Sequence, residues 1–245
     1  MKALLFLLLC LPAAAEEGSP LVGTVVRSRE YVVRRAPRKQ EEFIGDVRYR
    51  RATRSFRADW ALFDHLSQFW RLRGAIRGEE HYDDGGLLGL EGQEAVHDLR
   101  TGLGSMRGKD ETDPVVVTRG GPLRVSLPTP LEGDRAVGRV LVWDEKSRTA
   151  RLSGSVRVEG LYGDAAAEEA LYRHEDRTLT LSGGPPYVAP REKGWSAAAQ
   201  ADLIRATSEP RRLRAEGGVH GWIHFPKESV DAVHGRGFPR SRRRP

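Results

Sequence analysis

The sequence predicts an all-β fold, a curved sheet of stacked antiparallel hairpins. Three observations carry that prediction: a loose internal repeat, a side-chain period of two within each repeat, and polar reversals between the apolar runs. The repeat is a short apolar run, a polar turn and an alternating segment that closes on Leu-x-Gly or a looser variant. It runs from Ala61 to Gly74, Val140 to Gly154, Ala170 to Gly183 and, more weakly, Ala201 to Gly217, with gaps of 13, 14, 13 and 16 residues. Near-constant spacing of a self-similar unit is the mark of stacked supersecondary elements.

The period assigns each unit to strands. In Thr149–Val158 the residues at 150, 152, 156 and 158 are apolar and their odd-numbered neighbours are Arg, Ser or Thr, so an extended chain has one greasy face and one wet face. Phe69–Ile76 and Thr178–Leu181 repeat the pattern, and Asp144–Ser147 and His174–Asp176 supply polar reversals. The Gly inside each second strand marks a bend, a bulge or a close backbone approach. Repeated bends suit a curved sheet.

In chain order, Val22–Arg35 reads as a first β segment with Val22, Thr24 and Val26 on one face, and Ala36–Gln40 as a charged turn. Phe43–Tyr49 opens the next strand and Ser55–Ile76 forms the first clear unit. Tyr82–Gly86 contains Asp-Gly and Gly-Gly, which favour a hairpin turn. Leu87–Met106 is a weaker unit. Gly108–Asp134 is rich in Pro, Gly and acidic residues and reads as a long connection between two β halves, about 22–107 and 135–226, with Val115–Val117 and Leu123–Leu127 as strands inside it. Glu168–Arg173 and Ser196–Ala206 have helical Ala content, but their place in the repeat argues for strand. From 227 to 245 Gly, Pro and Arg dominate, and a disordered basic tail is expected.

Residues 1–15 read as a signal peptide: Lys2, a short apolar core from Ala3 to Leu11, and Ala13-Ala14-Ala15 as the cleavage site. That core is shorter than the roughly 20 apolar residues a spanning helix needs. A lipoprotein reading of Cys10 is disfavoured because Leu9, before it, is not small. Cleavage near Ala15 removes the only Cys, so an oxidising compartment is tolerated without disulfides. The composition, 39% hydrophobic with 27 Gly, is that of a globular chain.

The formal charge is +6, and 34 of the 40 basic residues are Arg; there is no Asn. Two explanations stand side by side: GC-rich codon usage, and planar guanidinium groups that recognise phosphate or carboxylate. Catalytic signals are sparse, with no Gly-x-Ser-x-Gly, no phosphate-cradling loop with Lys and no His-Glu-x-x-His. His220 and His224, four apart on one strand face, lack a neighbouring third ligand. Asp83-Asp84 and Glu168-Glu169 read as charged surface. No catalytic residue, metal, cofactor or nucleic-acid partner is expected, and the Arg-rich tail reads as solubilising or as a contact for anionic lipid.

Phe43-Ile44-Gly45-Asp46-Val47, Gly74-Ala75-Ile76, Asp84–Gly89 followed by Glu94–Asp98, Leu152-Ser153-Gly154-Ser155-Val156, and Ala198–Asp202 leading to Leu213–Val219 together resemble the OstA-like periplasmic lipopolysaccharide-transport family, the LptA type. The resemblance covers roughly residues 22–225. The family's Gly-Asn-Val turn stands here as Gly-Asp-Val, Gly-Ser-Val or Gly-Gly-Val, and the chain is longer than a minimal single-jellyroll carrier. An extended middle, or a fusion resembling the carrier and its membrane-proximal partner, accounts for that length. The resemblance implies a twisted, open β-jellyroll over residues 16–226. It implies a periplasmic protein without enzyme activity that moves lipopolysaccharide from inner to outer membrane and joins other jellyroll proteins, or itself, end to end.

Two expectations follow from alternation and the resemblance together. Ala61, Phe63, Trp70, Leu72, Ile76, Val140, Val142, Leu152, Val156, Val158, Tyr172, Leu179 and Leu181 face inward and line the lipid trough. Val22, Thr24 and Val26 at one end, and Val219, Ile223 and Phe225 at the other, form the assembly edges. An envelope scaffold linking partners through open sheet edges is the alternative, and an exported glycan-acting hydrolase a more distant one.

Overall fold

A computed structural model describes residues 24–81, 86–110, 112–120, 134–160, 163–192, 195–208 and 211–224. The expected signal peptide, Val22, residues 82–85 of the expected hairpin turn, the middle of the expected connection, Phe225 and the expected basic tail lie outside the described residues. The strands, in order, are β1 (Val25–Arg27), β2 (Glu30–Arg34), β3 (Gln40–Arg51), β4 (Arg54–Asp64), β5 (Phe69–His81), β6 (Leu87–Asp98), β7 (Leu103–Arg107), β8 (Val115–Gly120) and β9 (Asp134–Gly138). The second part of the chain adds β10 (Val140–Asp144), β11 (Thr149–Gly160), β12 (Gly163–Arg173), β13 (Thr178–Ser182), β14 (Tyr187–Glu192), β15 (Trp195–Gln200), β16 (Leu203–Ser208), β17 (Arg211–Glu216) and β18 (His220–His224). The fold class expected from the sequence is the one observed: all-β, antiparallel and jellyroll-like, with no helix among the described residues.

The strands form one eighteen-stranded sheet folded lengthwise into two leaves. Each long strand runs up one leaf and down the other. The first leaf stacks β2, the first half of β3, the second half of β4, the first half of β5, the second half of β6, then β7, β10, the ends of β11 and β12 nearest their shared partners β10 and β13, and β13, β16 and β17. The second leaf stacks β1, the remaining halves of β3 to β6, β8, β9, the remaining halves of β11 and β12, then β14, β15 and β18. The two sequence halves therefore share one ladder. β7 pairs with β10 and β8 with β9, so the connection is crossed by hydrogen-bonded rungs.

The crease is built by the Gly of each repeat. Register shifts fall between Ile44 and Val47, Arg57 and Trp60, Arg73 and Ile76, and Ser153 and Val156. Gly74 (φ 74°) and Gly154 (φ 86°) sit there with left-handed backbone, followed by Ala75 and Ser155, also at positive φ. A Cβ on Gly74 would lie 2.8 Å from the Asp59 Cβ, and one on Gly154 2.8 Å from the Arg139 Cβ, so packing and conformation both demand Gly. After each two-residue bulge the alternation resumes with the next apolar side chain buried: Val47, Ile76 and Val156 are all essentially inaccessible.

Glu168–Arg173 and most of Ser196–Ala206 are strand, as their place in the repeat predicts. Three of the polar reversals are Asx turns. Oδ1 of Asp64, Asp98 and Asp144 each accepts hydrogen bonds from the amides two and three residues on, at 2.8–3.2 Å. Asp64 is held well below the usual carboxylate range, at about 2, by the Gln40 amide first and then by these turn donors.

Candidate functional site

Cross-strand pairing lays the inner side chains of the first leaf in two rows along its length. One row runs Phe43, Ala61, Leu72, Ala95, Met106, Leu141, Leu152, Ala170, Leu181, Ile204 and Ala215. The row beside it carries Phe63, Trp70, His97, Gly104, Trp143, Ala150, Tyr172, Leu179, Ala206 and Leu213. The second leaf answers with Val26, Tyr49, Phe56, Gly78, Leu90, Val117, Ala136, Val158, Ala165, Val188, Ala199 and Gly221. The leaves meet face to face: Trp70 lies edge-on to Tyr49 and Phe56, with ring centroids at 5.8 and 5.7 Å.

Most of the predicted inward set is where alternation put it. Ala61, Phe63, Trp70, Ile76, Leu152, Val156, Val158, Tyr172, Leu179 and Leu181 are buried, and half-buried Leu72 packs against the buried core. Val140 and Val142 are corrections. Val142 is 42% exposed and pairs with Arg151 and Ser105 on the outer face; Val140, half-buried, pairs with Ser153 and Arg107. Leu141 and Trp143 point inward in their place, opposite Leu152 and Ala150. Register is decided by the strands on either side, and a shift of one residue inverts every side chain.

The middle of the interior is filled by buried apolar side chains, and large apolar side chains are exposed towards both ends. Among the described residues β1 and β2 pair only with β3, and β17 and β18 only with β16 and β15 respectively, so no described strand covers the outer edge of either end rung. At one end Tyr31, 52% exposed, stacks on buried Phe43 at 5.1 Å, and in the row beside it Val33 lies beyond Glu41, whose Oε1 is 2.6 Å from His65 Nε2. At the other, Leu213 (50% exposed) carries on from buried Ala206, and Ile223 (63% exposed) shares a face with Gly221. Of the proposed edge residues, Val26 and Thr24 are half-buried on β1's rung, Val219 and Ile223 are exposed on the last, and Val22 and Phe225 are outside the described residues. His220 and His224 share the outward face of β18, and no group of three potential metal ligands occurs among the described residues.

Along the margin opposite the crease, the leaves are joined by a polar clasp that sequence reading missed. Arg54 at the tip of the second leaf donates from Nε to Glu80 Oε1 at 2.9 Å and, across the gap, from Nη1 to Glu145 Oε1 at 3.4 Å. Glu145 follows β10 on the first leaf, and its Oε1 is 3.5 Å from His97 Nε2. Burial raises the Glu80 and Glu145 carboxyls above their ordinary range, with Arg54 working against it. Burial, reinforced by the Arg54 charge, depresses His97 to about 4, so the ring is neutral at physiological pH. Glu80 Oε2, His97 Nε2 and Trp143 Nε1 are buried without hydrogen-bond partners.

The clasp makes chemical sense as a fastening of an otherwise apolar slot. Trp143 lies across Gly104, where no Cβ would fit, and its ring sits 5.8 Å from that of His97. The one signal for these residues in the sequence is parity: Arg54 and Glu80 occupy inward positions of β4 and β5. No protein-family model matches the chain, and no curated protein matches it.

Proposed function

We propose that this protein is a periplasmic carrier for lipopolysaccharide or a closely related acylated glycolipid, taking the acyl chains between its two leaves. One observation carries the reading: two facing apolar surfaces run the length of the folded sheet and emerge uncovered at both ends. Such a slot suits unbranched chains of many methylenes, each gaining about 0.8 kcal/mol on leaving water. The resemblance of the Gly-x-Val crease motifs to the OstA-like family supports the choice of lipopolysaccharide and of the periplasm. Free edges beside exposed Tyr31, Val33, Leu213 and Ile223 suit continuation by another jellyroll or a second copy of this chain, which lengthens the slot without a seam.

The tight central packing favours one second reading, a scaffold that joins envelope proteins through the same edges and carries nothing. Photo-crosslinking separates the two. Probes at Phe63, Leu141 and Leu152 are expected to capture lipopolysaccharide, and probes at Arg71, Val142, Arg151 and Arg157 on the outer face are not. Equal labelling from both faces, or none from the inner positions with lipid in excess, refutes the carrier and leaves the scaffold.

A further inference from the structure

The outer face of the second leaf carries a row of four arginines on adjacent strands. Arg27 of β1 lies opposite Arg48 of β3, Arg48 opposite Arg57 of β4, and Arg57 opposite Arg77 of β5. Directly opposed residues in an antiparallel pair stand about 5 Å apart, and like charges so placed repel. The sheet pays for this arrangement with little local compensation. Asp46 hydrogen-bonds Arg48 through both carboxylate oxygens, at 3.1 and 2.7 Å, and also feels Arg29 and Arg57; Glu91 stands 3.7 Å from Arg77. Among the described residues no ion-pair partner lies against Arg27, Arg50 or Arg57.

The row is not a flat stripe. The row borders a concavity of about 440 Å³ on β3 to β5, lined by Arg48, Arg50, Arg57 and Arg77 and, from the inner parity of the same strands, by Tyr49, Arg54 and Phe56. That volume is in the range of small-ligand sites, and arginine side chains lining one hollow supply the donors that phosphate oxygens accept. A flat lipid surface does not enter a hollow, whereas a discrete phosphorylated group does. Glu79 also lines the concavity, opposite Ser55, and works against a bare anion; a phosphorylated sugar meets it with a hydroxyl donor.

We propose that this concavity is a binding site for phosphate monoester groups on a saccharide, centred on Arg57 and flanked by Arg48 and Arg77. The four arginines of the row project from the face opposite the apolar interior, while the concavity also reaches the strand ends that carry Tyr49, Phe56 and Arg54. It does not depend on the carrier reading.

Isothermal titration of the full chain with glucose 1-phosphate and with inorganic pyrophosphate tests it, using Arg57→Gln, the Arg48→Gln/Arg57→Gln pair and, as a control on the same outer face, Arg157→Gln. The expected result is saturable binding of the sugar phosphate, weakened about tenfold in Arg57→Gln, further in the pair, and unchanged in Arg157→Gln. Thermal unfolding keeps the test independent of folding defects. Arg57→Gln removes repulsion and should melt no lower than wild type without ligand, while losing the ligand-induced rise. A parallel arm uses phosphatidylcholine vesicles with about one-third phosphatidylglycerol. Vesicle flotation without binding of either soluble phosphate overturns the proposal, as does equal weakening by Arg57→Gln and Arg157→Gln. Pyrophosphate binding without sugar-phosphate binding also overturns it, since the saccharide is then not recognised.

Discussion

Replacing Arg54 by Met tests whether the clasp holds the leaves together. The side chain it removes is 36% exposed, while the carboxylates it serves are 5% (Glu80) and 15% (Glu145) exposed. Removing one partner of a fully buried ion pair costs about 3–5 kcal/mol, and solvent access at Arg54 reduces that to about 2 kcal/mol near neutral pH. The loss depends on pH with a fixed sign. Glu80 and Glu145 are raised in the folded protein, so their charge penalises folding above the ordinary carboxylate range, and that penalty vanishes once they are protonated. Without Arg54 both rise further, so the difference between variant and wild type is largest at alkaline pH, where both carboxyls are charged, and shrinks as pH falls through their raised values. His97 adds a separate slope. Its folded value of about 4 lies below the ordinary 6.5, so its contribution is complete above 6.5 and is lost as pH falls from there towards 4, less steeply in the variant because a repelling charge is gone. Urea unfolding at several pH values measures both, with Arg151→Met, whose 3.7 Å pair with Glu169 is largely exposed, as the control expected to change stability by less than about 0.5 kcal/mol. An Arg54→Met loss no larger than that control, or one that stays constant as pH falls through the raised carboxyl values, refutes the clasp.

Three further outcomes are expected. Leu141→Ala should cost about 2–5 kcal/mol in urea unfolding and Val142→Ala less than about 1, and the reverse order would return Val142 to the interior. Gly154→Ala should cost about 2–3 kcal/mol, because a left-handed backbone and the Arg139 side chain both oppose a Cβ, whereas Gly184→Ala, with φ 57° and no atom within 4 Å of its would-be Cβ, should cost about 1; equal melting temperatures would discount the crease packing. Ile223→Lys, which places a charge on the free edge of β18, should abolish concentration-dependent association in light scattering, and unchanged association would move the interface elsewhere.

How much of this was legible in the sequence depended on whether a segment's two faces differ in polarity. Thr149–Val158 alternates cleanly, and its assignment survives. Val140-Leu141-Val142-Trp143 is apolar on both parities, so period carries no information there, and only the pairing of β10 with β7 and β11 sets which side is in. The crease was legible as Gly before an apolar residue two positions on. The Asx turns share a second rule, an Asp four residues before a left-handed Gln68, Gly102 or Arg148, which a search for spacing would find. The clasp was hidden for a different reason. Arg54, Glu80, His97 and Glu145 are brought together across two leaves from distant parts of the chain, and charge at an inward position is ordinarily read as a break in the pattern.

The direction of the hydrogen bonds ties these features to the proposed activity. Backbone bonds run along each leaf from rung to rung, and the leaves are joined to each other by the chain only at the crease. Spreading the margin away from the crease therefore breaks no ladder bond. It breaks apolar contacts, which acyl chains replace in kind, and the Arg54 bridge to Glu145, which they do not. A slot built this way needs a fastening that is polar, local and on the side that opens, since a fully apolar margin would close as tightly as a core. The unpartnered Glu80 Oε2, His97 Nε2 and Trp143 Nε1 lower the cost of undoing it, because atoms already desolvated gain water when the margin spreads. Under the carrier reading, the same residues that look like flaws in the core set how easily the two leaves part.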